Sequence, residues 1–510
     1  MAFLLLALIT PLVASLLVWL LPASSPSNNV QGLKQPHRSH EDHFIWIGRV
    51  AMSISFLCMF VLWIKMRLLS DVYQFAFSFR WFQFSLGFHQ HWTLRIAYGL
   101  DGLSLPLFSL AVLLGWIIFF AVRPPGEQIR AYTGWMLLAL FAVMSSFAAI
   151  DLLTFILSME LTLLAGFFLI LRQGKEQHWD AALQFLLYRG LASVFIILAL
   201  LGLAAAASRG GLWPASYAVL SAVLFHHSVP HIVFLALFIG VLLEEAFVPL
   251  HSWFPNAMQD AGAGVAVLLA GILTKTGLYA LIRFGVGMMP QDANDYRLLI
   301  ATVGIINLLY AAFAAWSAKD WRRLISFSSI SHMGLALFAV ATLRQTGMLG
   351  ALFLLVSSGL VSALFLLTSE GMFKRLHSLE FSRLGGLSKS MPIASGFLLF
   401  AALGSLGLPL TSSFVGEFQS IFSGFAVLPG FAFVALLGLL LSAIYSLNAI
   451  RKTTFGPVLD STLMQLADLR WLESWPLALL SLFLLLLGIL PNPFAQVALS
   501  AFHHLRALGG

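Results

Sequence analysis

The sequence predicts an all-α integral membrane protein with fourteen transmembrane helices, two inverted five-helix repeats and discontinuous helices 7 and 12. Of its 510 residues, 60% are hydrophobic and only 10% are charged. Soluble domains carry about 25% charged residues, so this composition lies far outside that class. The apolar residues form repeated runs of about 20, the length that a helix needs to cross a bilayer. Only helices and closed barrels satisfy their backbone hydrogen bonds in lipid, and these runs are too long and uniform for barrel strands.

Fourteen apolar segments follow one another along the chain, and the seventh and twelfth contain proline and polar residues. The first run, over 3–21, lacks a preceding basic segment and a small-residue cleavage site, so we expect a retained helix and not a signal peptide. The polar stretches 23–43, 66–92 and 456–473 are too short to form separate soluble domains. The predicted spans centre near Ala14, Ser55, Ala111, Leu140, Thr162, Phe195, Phe238, Gly271, Ile306, Gly334, Gly359, Gly404, Leu437 and Phe483.

Basic residues are unevenly distributed between the two sets of loops. Sixteen Lys and Arg residues lie in loops after odd-numbered helices, nine lie on the opposite side and three lie within helices. Because loops rich in Lys and Arg face the cytoplasm, we expect both termini on the periplasmic side of a bacterial inner membrane. The net charge of +7 follows from this topology, so the lipid bilayer, and no nucleic acid, is the expected partner.

Three short patterns recur in the same order, at offsets of 160 to 169 residues. Because each unit contains five helices, an odd number, the second copy must be inverted in the membrane. Inverted repeats with broken helices are typical of transporters, whose sites lie near the breaks; chance similarity between apolar segments is the alternative. The sequence thus predicts helices 1–3 over 1–130, repeats over 131–290 and 291–455, and a C-terminal loop and helix over 456–510. The recurring stretches are Ala149-Ile-Asp151 with Ala318-Lys-Asp320, Pro249-Leu-His-Ser-Trp-Phe254 with Pro409-Leu-Thr-Ser-Ser-Phe414, and Tyr279-Ala-Leu with Tyr445-Ser-Leu.

Cysteine and motif content exclude several kinds of chemistry within this chain. The single cysteine, Cys58, cannot form an internal disulfide or supply the four thiolates of an Fe–S cluster. The sequence has no phosphate-binding loop and no dinucleotide fingerprint. No cofactor is therefore expected, and redox chemistry would occur in partner subunits. The His226-His227 pair with His231 lacks nearby carboxylate or cysteine ligands, so we expect an interfacial cluster and no metal site.

Ionisable residues within the predicted spans mark the candidate site. A charge at the bilayer centre costs at least about 3 kcal/mol, so a retained one usually has a function. Carboxylates, lysine and histidine exchange protons when burial and neighbouring charges bring their proton affinities together. The sequence therefore predicts a proton relay. Its candidate residues are Glu160 in helix 5, Arg189 in helix 6, Glu244 in helix 7, Lys275 in helix 8, His332 in helix 10 and Glu417 in helix 12.

Structural roles remain open for several buried charges. Arg189 either acts in the relay, pairs structurally, or anchors helix 6 to a neighbouring subunit, and Arg49 is expected to snorkel or pair locally. Glu245 faces either the interior, or a partner or loop. His332 either carries protons or packs with its hydrogen bonds satisfied, and His251 is expected to be structural.

Six motifs occur in order along the chain: Asp101-Gly-Leu-Ser-Leu105, Val248-Pro-Leu-His-Ser-Trp-Phe-Pro255, Leu269-Ala-Gly-Ile-Leu-Thr-Lys275 with Tyr279-Ala-Leu-Ile-Arg-Phe284, Arg323-Leu-Ile-Ser-Phe-Ser-Ser-Ile-Ser-His-Met-Gly334, Phe414-Val-Gly-Glu-Phe418, and Ile444-Tyr-Ser-Leu447. Together they resemble the antiporter-like membrane subunits of proton-pumping NADH–quinone oxidoreductase (complex I), most closely the M-type or chain 4 subunit. The similarity spans nearly the whole chain. The superfamily also includes subunits of membrane hydrogenases, Mrp-type Na⁺/H⁺ antiporters and inorganic-carbon uptake complexes.

The resemblance implies a fold and a function. It implies fourteen core helices, two inverted five-helix units, and half-channels joined by a central row of polar residues. Glu160, Lys275 and Glu417 match the family's helix-5 glutamate, helix-8 lysine and helix-12 glutamate, and His332 falls in its Ser-His-Met-Gly stretch. The expected function is proton translocation within a multi-subunit complex I-like assembly, driven by quinone reduction in other subunits.

Three positions depart from the family pattern. Glu244 stands where the family usually has a helix-7 lysine, Ser358 where it has a helix-11 histidine, and Gln184 where it has a helix-6 lysine. Without the helix-7 lysine, Glu160 and Glu244 are two carboxylates near one path. We expect Arg189 to supply the missing positive charge as a fixed bias, because a guanidinium holds its proton at any working pH.

Two other functions remain open. The chain could serve a transporter without redox chemistry, coupling ion flow to antiport or to bicarbonate accumulation, or it could be a structural subunit that has lost conduction. The sequence does not distinguish H⁺ from Na⁺. The identity of the co-purifying subunits separates these functions.

Overall fold

The computed structural model describes residues 1–22, 38–67, 73–86, 90–124, 128–172, 178–208, 215–224, 230–458 and 465–502. Within these ranges, twelve helical segments are long and apolar enough to cross a membrane, which confirms the predicted multi-pass helical fold. The helices are α1 (Ala2–Leu20), α2 (Arg38–Lys65), α3 (Ser104–Ala121), α4 (Ile129–Ala148), α5 (Leu152–Arg172), α6 (His178–Ala206), α7 (Tyr217–Leu224), α8 (His231–Glu244), α9 (Trp253–Asp260), α10 (Ala263–Gly271), α11 (Thr276–Ala280), α12 (Pro290–Asp295), α13 (Arg297–Trp316), α14 (Trp321–Ala341), α15 (Gln345–Leu376), α16 (Leu387–Ser390), α17 (Pro392–Ser405), α18 (Ser412–Val427), α19 (Pro429–Thr453), α20 (Trp471–Ile489) and α21 (Pro491–Ser500).

Two of the predicted spans are interrupted, as the sequence predicts. The seventh consists of α8 and α9, and the twelfth consists of α17 and α18. Each break contains a proline, Pro249 or Pro409, which lacks the N–H that a continuous helix needs. The backbone also enters the left-handed region at each break, with φ of 54° at Ala246 and 63° at Gly407. These two interrupted segments, added to the twelve long ones, make fourteen candidate spans, and the number that crosses a bilayer stays a prediction.

A third interruption lies in the eighth span, where the sequence shows no proline. Here α10 ends at Gly271, a 3₁₀ turn covers Leu273–Lys275, and α11 is followed by a π-helical turn over Leu281–Val286. Every residue of this span from Ala263 to Ile282 is buried inside the protein. Departures of this kind from regular α-helix often occur at functional sites. The break places Lys275 at the junction between two short helices.

The stretch 66–92, expected to be a polar loop of an all-helical protein, contains a β-hairpin instead. Strand β1 (Gln74–Leu86) pairs antiparallel with β2 (Gln90–Leu100), with Phe79 opposite Ile96. Aromatic residues alternate along β1, which is the period of a strand. The hairpin is anchored on the turn between α4 and α5, since Tyr98 forms a β-bridge with Ala149.

The beginnings of α5 and α14 have a similar local structure, in which an aspartate side chain accepts a hydrogen bond from a backbone N–H of the first turn. The side chain of Asp151 accepts a hydrogen bond from the backbone N–H of Leu153 (2.9 Å), and that of Asp320 accepts one from the N–H of Arg323 (2.9 Å). Asp151 and Asp320 each also form one β-bridge to a distant segment. Because they occupy corresponding places in the recurring patterns, this likeness supports an internal repeat. The three boundaries between the four predicted regions stay predictions.

Small residues allow the central helices to approach closely. A Cβ added at Gly334 of α14 would lie 2.6 Å from the backbone nitrogen of Leu308 and 2.7 Å from the carbonyl oxygen of Gly304, both in α13. The backbones of α13 and α14 are therefore in direct contact. Likewise, a Cβ at Gly359 of α15 would lie 2.6 Å from the carbonyl oxygen of Gly271. Close packing of this kind is how helices associate within a membrane.

We predict that Gly334→Ala lowers the thermal unfolding temperature of the purified protein. The added methyl group must push α13 away from α14, and overpacking of this kind costs about 1–3 kcal/mol. The matched control is Gly396→Ala in α17, where a Cβ would have open space around it. Equal unfolding temperatures for the two variants would contradict direct backbone contact between α13 and α14.

Candidate functional site

Arg189 and Glu244 form an ion pair in the interior. The Nη2 of Arg189, on α6, contacts the Oε1 of Glu244, the last residue of α8, and each side chain is only 2% exposed. Thr276 donates its hydroxyl to the same carboxylate oxygen at 2.9 Å. The guanidinium also lies over the rings of Phe185 and Trp253, at 5.4 and 6.0 Å from their centroids. A buried guanidinium is thus neutralised by a carboxylate and flanked by aromatic faces.

Glu160 of α5 lies near this pair. It is half-buried, and its charge interacts unfavourably with that of Glu244. Its Oε1 is buried and accepts no hydrogen bond from any described residue. The Arg189 Nε and Nη1 groups are likewise buried and without a partner among those residues. The cluster therefore holds two carboxylates, one guanidinium and unused hydrogen-bonding capacity.

Glu245 is fully buried, which excludes the alternative in which it faces a partner or loop. Its Oε1 accepts a hydrogen bond from the backbone N–H of Leu278 at 3.0 Å, just beyond the break in the eighth span. Gly277 makes room for it, because a Cβ there would lie 2.9 Å from that oxygen. Glu245 also interacts electrostatically with Lys275. The helix ends at Glu244 and the backbone turns at Ala246, so both glutamates reach the interior.

Lys275 occupies the centre of the site and is completely buried. Its Nζ donates to the Ala270 carbonyl at 3.1 Å, to the Thr274 hydroxyl at 3.0 Å and to the Met333 sulfur at 3.6 Å. All three acceptors are neutral, so charge compensation for the ammonium comes from Glu245. Met333 follows His332 on α14, which connects the lysine to the second half of the chain.

His332 and Glu417 form the other end of the site. The Nδ1 of His332 lies 3.9 Å from the Oε1 of Glu417, and its Nε2 lies 3.1 Å from the Ser405 hydroxyl. Glu417 lies in α18, and its carboxylate reaches the break before that helix, because a Cβ at Gly407 would lie 2.0 Å from its Oε2. Position 407 therefore requires glycine for two reasons: its φ is positive, and a Cβ would collide with the Glu417 carboxylate. Tyr445 donates its hydroxyl to Ser328 at 2.9 Å beside this group.

The six predicted site residues are therefore buried or half-buried in one row. Arg189, Glu244 and Glu160 form its first part, Lys275 lies in the middle, and His332 and Glu417 form its last part. Glu245, the seventh member, was not among the predicted site residues. One sequence signal could have identified it: Glu245 is adjacent to Glu244 and lies four residues before Pro249.

Other singled-out residues lie outside this row. Arg49 donates to the Phe119 carbonyl at 3.1 Å. Gln184 accepts a hydrogen bond from Asn256 at 2.8 Å, and Ser358 donates to a carbonyl of its own helix at 3.2 Å. His251 packs against the rings of Tyr310 and Phe327. Of the predicted interfacial histidines, His226 and His227 lie outside the described residues, while the Nδ1 of His231 lies 2.6 Å from the Oδ1 of Asp292.

Comparison with known proteins identifies similar chains. The model of a family described as NADH:quinone oxidoreductase/Mrp antiporter, transmembrane, matches residues 149–444, more than half of the chain. NAD(P)H-quinone oxidoreductase chain 4 1 of Synechococcus sp. (strain JA-2-3B'a(2-13)) is 33% identical over 390 residues, 75% of this chain and 72% of the relative. NADH-quinone oxidoreductase subunit M of Escherichia coli (strain K12) is 29% identical over 476 residues, 90% of this chain and 92% of the relative.

A solved structure has the same fold. A chain of respiratory complex I from Thermus thermophilus, with bound NADH, is 27% identical to this chain, with a TM-score of 0.82. The alignment covers 99% of this chain and 100% of that one. The likeness therefore includes both halves of the ionisable row.

Proposed function

The chain belongs to the NADH:quinone oxidoreductase/Mrp antiporter transmembrane family, and we propose that it translocates protons as one membrane subunit of a complex I-like assembly. The observation that carries this proposal is the row of buried ionisable side chains, which passes from the first broken span, through Lys275, to the second. Relatives named as NADH-quinone oxidoreductase subunits favour this function over antiport without redox chemistry. Quinone reduction in other subunits then supplies the energy.

Glu245 and Lys275 are the central acid–base pair of the relay. Burial penalises an isolated charge on either group. The pair is therefore stable in two states, one with both groups charged and one in which the lysine has passed its proton to the carboxylate. Exchange between these states moves a proton and leaves no unpaired charge in the interior. The break places Lys275 at a helix junction, and the absence of a side chain at Gly277 leaves space for the Glu245 carboxylate two residues further along.

His332 connects Lys275 with Glu417. The imidazole has two nitrogens, so it can accept a proton on one and release another from the other. Its Nδ1 is 3.9 Å from the Glu417 carboxylate, a separation that a small side-chain movement or one bridging water closes. Glu417 is then the acceptor at the second broken span.

Arg189 acts as a fixed charge and not as a carrier. Because it keeps its proton, it holds Glu244 as a paired carboxylate. The pair takes the place of the helix-7 lysine that the family resemblance leads one to expect. Protonation of Glu160 removes its electrostatic repulsion of Glu244. The protonation state of Glu160 therefore changes the electrostatic energy at the end of α8, next to Glu245.

The protein is a multi-pass membrane protein, and we place it in the inner membrane of a bacterial cell. The excess of Lys and Arg in one set of loops supports an orientation with both termini in the periplasm. The β-hairpin then also lies on the periplasmic side.

We predict that Lys275→Met and Glu417→Gln each depress proton translocation in vesicles that contain the assembled complex, while quinone reduction continues. Each variant removes a titrating group and keeps much of its volume. Lys389→Met, at an exposed position between α15 and α17, is the control for loss of a lysine. Normal proton translocation by either test variant would exclude that residue from the relay.

Arg189→Gln is expected to abolish translocation, because it leaves Glu160 and Glu244 without a cation. Breaking a buried pair costs about 3–5 kcal/mol, so the amount of assembled complex must be measured alongside the rate. Arg189→Lys tests whether any cation suffices. The double variant Arg189→Gln with Glu244→Lys returns a positive charge beside Glu160 and should partly restore translocation. An assembled Arg189→Gln complex that pumps normally would show that Arg189 has only a structural role.

Reporter fusions to the two termini test the orientation. An alkaline phosphatase domain is active only in the periplasm, and a green fluorescent protein domain fluoresces when it folds in the cytoplasm. We expect phosphatase activity and no fluorescence from both termini. Fluorescence from both would reverse the proposed orientation.

A further inference from the structure

Three hydroxyl groups form a hydrogen-bonded chain on the hairpin side of the first repeat. The Ser145 hydroxyl of α4 lies 2.6 Å from the Ser158 hydroxyl of α5 and 2.9 Å from the phenol oxygen of Tyr98 in β2. Ser145 and Ser158 are buried, whereas Tyr98 is half-buried at the base of the hairpin. The chain thus leads from the interior towards the surface on which the hairpin lies.

The chain can be oriented in two directions. In one, Ser158 donates to Ser145 and Ser145 donates to Tyr98, which leaves the phenol proton free to point outwards. In the other, Tyr98 donates to Ser145, Ser145 donates to Ser158, and Ser158 donates to the Thr154 carbonyl at 2.6 Å. Each hydroxyl has one proton and can also accept, so both orientations are available. A chain with two such orientations can pass a proton and then reset.

Ser145, whose hydroxyl contacts that of Ser158, lies near the depth of the central acid–base pair. The helix α4 and the eighth span run parallel, because Tyr132 approaches Gly264 at one end and Tyr279 donates to the Phe147 carbonyl (3.2 Å) at the other. The two contacts are fifteen residues apart on both helices. This register puts Ser145 level with Gly277, which adjoins Glu245 and follows Lys275 by two residues, about 3 Å along a helix.

From this geometry we propose that the Ser158, Ser145 and Tyr98 hydroxyls carry protons between the Glu245–Lys275 pair and the aqueous face beside the β-hairpin. An N–H bond of Lys275 breaks as an O–H bond forms on Ser158. Ser158 passes its own proton to Ser145, and Ser145 passes its own to Tyr98. Tyr98 releases one proton to water, so the number of protons on the chain is unchanged. Water, or movement of the Lys275 side chain, spans the step between the ammonium and the two serines.

The phenol acts as a neutral hydroxyl in this scheme. Burial raises the pKa of Tyr98 above its ordinary value, so the group stays protonated at working pH. In this scheme the first repeat has its own proton path to the aqueous face beside the hairpin. Proton transfer between Lys275 and that face then does not require the second repeat. The proposal rests on proton translocation by this subunit, as proposed above.

The test uses the complete complex in vesicles and measures protons moved for each quinone reduced. Ser145→Ala, Ser158→Ala and Tyr98→Phe each break the chain, and Lys275→Met gives the reference level for a blocked relay. Ser146→Ala is the matched control, because the neighbouring Ser146 is also buried and donates only to the Val143 carbonyl of its own helix at 2.8 Å. Ser145→Thr and Ser158→Thr keep a hydroxyl at each position.

We expect the alanine and phenylalanine variants to lose as much proton translocation as Lys275→Met, while Ser146→Ala and the threonine variants keep the wild-type ratio. Wild-type ratios in Ser145→Ala and Ser158→Ala, together with a loss in Lys275→Met, would overturn the hydroxyl chain and leave the relay intact. A wild-type ratio in Lys275→Met would instead exclude Lys275 from the relay and overturn the proposed function, in which its pair with Glu245 is central. If the buried alanine variants fail to assemble, Tyr98→Phe is the test, because Tyr98 is only half-buried. A wild-type ratio in Tyr98→Phe would then overturn the hydroxyl chain, and a loss would support it.

Discussion

The ion pair between Arg189 and Glu244 is the interaction on which the rest of the buried row depends. Two carboxylates, Glu160 and Glu244, interact unfavourably in a region with little access to water, and only one guanidinium is paired with them. An arginine suits this role because its charge is permanent. It holds the end of α8 against α6, and this end carries Glu245 close enough to Lys275 for their charges to interact. A fixed charge therefore positions the groups that exchange protons.

Interrupted helices make these buried charges tolerable. Glu244 ends α8 and Glu245 follows it, Lys275 lies between α10 and α11, and the carboxylate of Glu417 faces the break before α18. In the eighth span, the Leu278 N–H donates to Glu245 and the Ala270 carbonyl accepts from Lys275, so backbone groups on either side of the break serve as partners for both side chains. The same breaks give the local freedom that proton exchange between neighbouring groups needs.

The sequence predicts the membrane fold, two of the breaks and six members of the row, because apolar runs, prolines and isolated charges are strong local signals. It does not predict the break at Lys275, since no proline marks it. Glu245 was missed as a site residue because neighbours on a continuous helix point about 100° apart, whereas the backbone turn at Ala246 brings both glutamates inside. The hairpin was missed because its alternating aromatic residues lie within a polar stretch.

Glu245 provides the most direct test of the central claim, that protons cross this subunit through the pair it forms with Lys275. The measurement is the number of protons translocated per quinone reduced by the assembled complex with Glu245→Gln, which keeps the shape of the side chain and removes its charge. The account predicts that quinone reduction persists and that the ratio falls to that of the Lys275→Met complex. An unchanged ratio in a fully assembled Glu245→Gln complex would contradict it.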